Sequence, residues 1–266
     1  GSEMCIRDRY DTSSLMQCQA KKYSGLNFAR KIRPVAPDIS SKIWYCGTSI
    51  GLTYDGLIAS ANFCRNRFCS TCQWRRSVKL FRQNYECFEW IKEKYPGCRF
   101  VFLTLTVRNV PIDSLAPRLV DMSNAWHRFT MRRDFKALGL LGWLRVLEVT
   151  RNSHSGTYHP HFHVVLVVPA GCWLPDHAWW LRCWQLAARD ESIMFVNLRI
   201  VDGSKSSIEE VSKYVVKDSD FSGSAWVPEF SQLYKALAHV RCFSPAGCWR
   251  DSRRVLGFVD PDKDTL

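Results

Sequence analysis

The sequence predicts an α+β fold, an antiparallel sheet with helices packed on one face. Two observations carry this reading. From residue 99 onward, β-branched and aromatic segments alternate with segments of helical period, in the order strand, helix, strand, strand, helix, strand, helix. Two of the strands are separated only by Asn152-Ser153-His154-Ser155-Gly156, which is turn chemistry and joins them as a hairpin. The resulting βαββαβ order is a ferredoxin-like pattern, in which the helices lie against an antiparallel sheet.

The elements follow in chain order. Gly1-Ser2 has the form of a tag remnant, and Met4 to Arg9 resembles a translated sequencing adapter, so the first ten residues carry no fold argument. Residues 11–40 are polar and mixed, with Pro34 and Pro37; segment 1–40 is expected to be an arm holding a short helix. Segment 41–98 holds short strand-like pieces, a cysteine cluster and a long helix from Trp74 to Tyr95. Trp74, Val78, Phe81, Tyr85, Phe88 and Ile91 make one stripe on that helix, and Pro96-Gly97 ends it. Segment 99–240 is the core. Its strands are Arg99–Val107, Trp143–Arg151, Thr157–Val168 and Met194–Val201, and its helices Ser114–Leu138, Pro175–Asp190, Ser207–Lys217 and Pro228–His239. Segment 241–266 reads as a loop-rich tail with a short apolar run from Val255 to Val259. The segments are expected to form one compact unit.

Lys and Arg number 37 against 25 Asp and Glu, a formal charge of +12, which favours an anionic partner, nucleic acid ahead of a membrane surface. No stretch approaches the roughly 20 apolar residues of a membrane span. No apolar signal-peptide core is visible near the start, so the twelve cysteines are expected to be reduced thiols of a cytoplasmic protein. Clustered cysteines then point to metal.

Cys64-x4-Cys69-x2-Cys72 sets three thiols within nine residues, and Cys46 is the best fourth ligand for a closed structural Zn²⁺ site. Three unrelated buried thiols are the plainer alternative, which the tight spacing disfavours. Arg65, Arg67, Arg75 and Arg76 flank the cluster and are candidate phosphate contacts.

His159, His161 and His163 occupy every second position of a strand and share one face. Such histidines running into a buried strand call for a shared partner, and a divalent cation is the natural one. A symmetric hairpin centred between His154 and Ser155 sets Glu148 opposite His161. Glu148, His161 and His163 would then form a His₂-carboxylate site suited to Mn²⁺ or Mg²⁺, with His159 an additional candidate. A bulge would move Glu148 to the other face.

On the helix Ser207–Lys217, Glu210, Lys213, Tyr214 and Lys217 fall within an arc of about 100°, opposite Ile208, Val211 and Val215. A solvated face is the bland reading of that helix alone. Beside a metal site in a basic protein, a Tyr flanked by Lys is a credible nucleophile toward a phosphodiester. Lys213 or Lys217 would stabilise phosphate charge or protonate the leaving oxygen, and Glu210 would act as general base on a resolving water or hydroxyl.

The set FLTLT (102–106), HPHFHVVL (159–166) and EVSKYVVK (210–217) resembles the three motifs of HUH endonucleases. It is most similar to the single-tyrosine rolling-circle plasmid replication initiators, whose cysteine-rich segment CRNRFCSTCQWRRS (64–77) also resembles. The resemblance implies a bacterial, plasmid-encoded nickase acting on single-stranded or hairpin origin DNA with Mn²⁺ or Mg²⁺. It would form a 5′-phosphotyrosine link and free a 3′-OH for host polymerase and helicase. By the motifs, His161 and His163 match the metal ligands, Tyr214 the nucleophile and Glu210 the residue that activates water. Glu148 rests on the strand pairing more than on the motif. Two alternatives stand beside this reading: an HUH transposase or relaxase of the same chemistry, and a non-catalytic zinc-ribbon DNA-binding protein.

Overall fold

The computed structural model describes residues 12–54, 58–201 and 223–262, of which 12–16 by their backbone alone. Two helices open the chain, α1 (Thr12–Ile32) and α2 (Pro37–Trp44). A small hairpin follows, β1 (Ile50–Leu52) with β2 (Ile58–Ala61), and then the long helix α3 (Ser70–Lys94). The main sheet is built from β3 (Arg99–Thr106), β4 (Gly142–Arg151), β5 (Tyr158–Val168), β6 (Val196–Val201) and β7 (Phe243–Gly247). Between β3 and β4 lie α4 (Leu115–Met131) and the short α5 (Arg133–Ala137); α6 (His177–Ala188) joins β5 to β6. Near the end come α7 (Phe230–Leu237) and, directly after β7, α8 (Cys248–Val255).

The five strands run in the order β6-β3-β5-β4-β7, every neighbouring pair antiparallel. β3 and β5 are apolar from Phe100 to Leu103 and from Val164 to Val168, as stretches covered on both faces must be. Val101, Leu103, Leu105, Phe162, Val164 and Leu166 face one core, with Trp126 and Phe129 of α4 and Trp180 and Trp184 of α6. Phe100, Phe102, Leu144, Val146, Val165 and Val167 face the other, under Leu80, Phe88 and Ile91 of α3 and Trp249 of α8. The expectation of helices on one face is thus corrected. The α4–α6 pair does share a face, and α3 and α8 cover the apolar part of the second one.

Other boundaries differ for local reasons. α1 is a 21-residue helix, longer than the short helix expected in the arm, and Phe28 stacks on Trp226 at 5.1 Å between ring centroids. α3 begins four residues earlier than its apolar stripe suggested, and the buried stripe is Leu80, Asn84, Cys87, Phe88 and Ile91. Val78 and Tyr85, expected inside, are exposed. The single helix 114–138 breaks at Arg132, whose ψ of 141° ends α4. The helix Ser207–Lys217 lies outside the described residues.

β7 and α8 stand where a loop-rich tail was expected. Phe243-Ser244-Pro245-Ala246-Gly247 has little β propensity, and Pro245 suits only an edge strand, which is where it sits, opposite Leu144. Tertiary pairing makes this strand. The buried Arg145 guanidinium donates to Ser244 Oγ at 3.0 Å and lies 4.4 Å over the Phe162 ring, and burial lowers its pKa to about 10. Gly247 turns the chain into α8 at φ +55°, and a Cβ there would stand 2.7 Å from the Gly142 Cα. Gly247→Ala is expected to cost about 2–3 kcal/mol, read from urea unfolding; an unchanged midpoint would contradict this packing.

Among the described residues no helix is long and apolar enough to cross a membrane.

Candidate metal centre and its surroundings

The histidine strand β5 pairs on one side with β4 and on the other with β3. The β4–β5 ladder runs from Gly142–Val167 to Arg151–Tyr158 without a register shift, so Glu148 stands opposite His161. The turn is held by Asn152, whose Oδ1 accepts from the backbone N–H of His154 at 2.9 Å and of Ser155 at 3.1 Å. A local Asx turn therefore sets the register that brings the three groups together.

Glu148 Oε2 lies 2.9 Å from His163 Nε2 and 3.4 Å from His161 Nε2. All three residues are buried, and one ligand atom from each falls within 4.8 Å of the others. The outer ring nitrogens are engaged elsewhere. His161 Nδ1 faces the His159 carbonyl at 3.2 Å, and His163 Nδ1 faces Thr104 Oγ1 at 3.4 Å. With Nδ1–H of His161 donating to the carbonyl, its Nε2 lone pair points to the centre, the tautomer that a metal-binding imidazole requires. Two imidazoles and a carboxylate at this spacing fit a divalent cation, because ligand bonds of about 2.0–2.2 Å bring such atoms to roughly these separations. Burial of an acid without a cation partner would be costly.

His159 lies on the same face, one step nearer the strand end. Its ring stacks on His161 at 5.1 Å, its Nδ1 is 2.7 Å from Asn109 Oδ1, and burial, with His161 adjacent, lowers its pKa. It stands outside the three-ligand set. Thr104 is a contact that the sequence signalled without assigning. In FLTLT, Thr104 and Thr106 alternate with the apolar residues and stand opposite His163 and His161.

Cys46, Cys64, Cys69 and Cys72 converge as the sequence proposed. Cys46 follows α2, Cys64 follows β2, and Cys69 and Cys72 bracket the start of α3. Cys46 Sγ is 3.4 Å and Cys64 Sγ 3.7 Å from Cys72 Sγ, and the four sulfurs lie within 4.8 Å of one another. Tetrahedral zinc with sulfur at about 2.3 Å would separate its sulfurs by about 3.8 Å, so the arrangement fits such an ion. Hydrogen bonds from Cys64, Cys69 and Cys72 hold the Cys46 thiol pKa far below its ordinary value. Those of the other three are raised by hydrogen bonding within the cluster and by burial.

The flanking arginines have different surroundings. Arg65 is exposed in a left-handed turn at φ +54°. Arg75 lies 4.0 Å over the Phe63 ring, and Arg76 is half-buried. Arg67, expected to face DNA, is turned inward. It donates to the Leu237 carbonyl at 2.6 Å and to Cys242 Sγ at 3.5 Å. The Cys242 carbonyl in turn accepts from the backbone N–H of Leu147, the neighbour of Glu148. Arg67 thus ties the cysteine loop to the strand carrying the carboxylate, a contact no local pattern signals. Glu210, Lys213, Tyr214 and Lys217 lie outside the described residues.

Comparison with known proteins gives the family. The replication protein family matches residues 56–265. "Protein rep" of Bacillus sp is 34% identical over 232 residues, covering 77% of this chain and 75% of the relative. "Protein rep" of Streptococcus pneumoniae serotype 2 is 33% identical over 218 residues, covering 77% and 67%. "Protein rep" of Lentilactobacillus hilgardii is 27% identical over 262 residues, covering 91% and 83%. No solved structure matches. The chain belongs to the replication protein family.

Proposed function

We propose that the protein is a plasmid replication initiator of the HUH type, acting in the bacterial cytoplasm. It would nick single-stranded or hairpin origin DNA and hold the 5′ end as a phosphotyrosine. The observation that carries this reading is the buried Glu148–His161–His163 set on facing strands of a replication-family chain. The strand order β6-β3-β5-β4 with α4 and α6 on one face matches the ferredoxin-like arrangement and puts the histidine strand at the sheet's centre.

Glu148, His161 and His163 would hold Mn²⁺ or Mg²⁺. When bound, such a cation neutralises charge on the scissile phosphate and polarises its P–O bond. The chain's own residues do the rest. The Tyr214 phenol oxygen attacks phosphorus in line, a Tyr–O–P bond forms, the P–O3′ bond breaks, and the O3′ takes up a proton. Lys213 and Lys217 favour the phenolate and stabilise phosphate charge or supply that proton. Glu210 accepts a proton from the water or hydroxyl that later resolves the adduct. The 3′-OH is then a primer for host polymerase and helicase. The cysteine cluster would hold a structural Zn²⁺, since four sulfurs leave no open position for substrate. Arg65, Arg75 and Arg76 beside it would contact DNA phosphates.

The test is metal-dependent adduct formation. The protein is incubated with Mn²⁺ and a library of hairpin-bearing single-stranded oligonucleotides and run on a denaturing gel. A protease-sensitive, mobility-shifted adduct is expected with Mn²⁺ and none with EDTA. Normal nicking in EDTA would overturn the metal assignment, and no cleavage across the library would overturn the function.

A further inference from the structure

On the metal-bearing face the sheet is chemically lopsided. Toward β4 and β7, the row through His163 continues into Val146 and Phe243, both buried. Toward β3 and β6, the same row passes Thr104 and ends at Asn197. The next row passes from Val165 through Phe102 to Arg199. Asn197 and Arg199 are both exposed. Among the described residues, the β3–β6 side of this face therefore offers a polar path leading up to the metal centre.

Arg199 is held rather than loose. Its guanidinium carbon lies 4.7 Å over the Phe102 ring, and that ring is 5.3 Å from the His163 ring. The two contacts, like two strand spacings of about 4.8 Å, place the charge within about 10 Å of His163. No acid among the described residues lies within ion-pair distance of it. A guanidinium carbon packed against an aromatic ring is fixed in position while its N–H groups remain able to donate to a phosphate.

We infer that Arg199 is a substrate-binding residue that grips a backbone phosphate of the DNA strand flanking the scissile one. The strand leaves the metal centre across β3 and β6, with Asn197 beside its path. This rests on the proposed reading that DNA is cleaved at Glu148, His161 and His163. It adds a direction for the strand and a residue that fixes it. Packing over Phe102 alone would also hold Arg199 in place, but would not make DNA binding depend on its charge.

The experiment is fluorescence anisotropy of labelled oligothymidylate with full-length wild type, Arg199→Ala and Arg199→Lys, repeated over a range of salt concentrations. Arg199→Ala is expected to weaken binding about tenfold. It should also reduce the slope of log affinity against log salt by about 0.7, the value of one phosphate contact on a single strand. Arg199→Lys keeps the charge and is expected to keep most of the slope. If wild type binds and Arg199→Ala has the same slope, the inference fails while the nickase reading stands. If wild type shows no salt-dependent binding of single strands, the reading beneath it fails as well.

Discussion

Tyr214→Phe is expected to abolish adduct formation and nicking, a loss on the order of 10³-fold or more, with single-strand binding and divalent-cation binding unchanged. The substitution removes one oxygen. That oxygen is the only atom of the side chain able to form the bond to phosphorus, so no residual covalent route passes through Phe. The aromatic ring remains, so packing and base stacking are little altered. A phenol is a poor nucleophile at its ordinary pKa near 10, and Lys213 and Lys217, one residue before and three residues after Tyr214 in the sequence, would favour the phenolate. Charge-removing changes at either lysine should therefore reduce the rate less than the loss of the hydroxyl does. The readout is a denaturing gel with Mn²⁺ and a cleavable oligonucleotide. An adduct formed by Tyr214→Phe at the wild-type rate would assign the nucleophile elsewhere.

Cys46→Ser is expected to have the largest effect on stability. The four sulfurs join α2, the β1–β2 hairpin and the start of α3, segments with little sheet of their own. Structural zinc sites contribute apparent binding energies of about 10 kcal/mol or more to folding. Losing one ligand should therefore remove about one zinc per chain and lower the thermal midpoint by about 10 °C or more. The damage should also reach the other centre through Arg67, Cys242 and Leu147. Metal content by elemental analysis, with calorimetry, checks this against Cys18→Ser, which should keep the zinc. Full zinc retention in Cys46→Ser would contradict the assignment.

The Glu148–His161–His163 and four-cysteine groupings are more legible in the sequence than the frame around them, while Glu210, Lys213, Tyr214 and Lys217 lie outside the described residues. Counting from the turn alone places Glu148 opposite His161. This works because the hairpin is symmetric and its ladder carries no bulge over all ten residues of β4. Cys46 is legible as a partner of Cys64 for a similar reason, since β1 and β2 return the chain to it. The missed features are those that tertiary contact creates. Pro245 argues against a strand until the free edge of β4 is there to pair with it. Val78 and Tyr85 fit a helical stripe, but what α3 buries is set by where the sheet and α8 meet it. In the sequence Arg67 is one of several cations beside the cysteines, and the fold brings Leu237 and Cys242 within its reach.

Anomalous diffraction from Mn²⁺-soaked crystals shows whether Glu148, His161 and His163 hold a divalent cation. One manganese peak is expected about 2.0–2.2 Å from Glu148 Oε2 and the Nε2 atoms of His161 and His163. It should be absent from crystals of Glu148→Ala. Crystals in which manganese binds elsewhere, with this pocket free of anomalous density at saturating Mn²⁺, would mean that these three residues are not the cation's ligands.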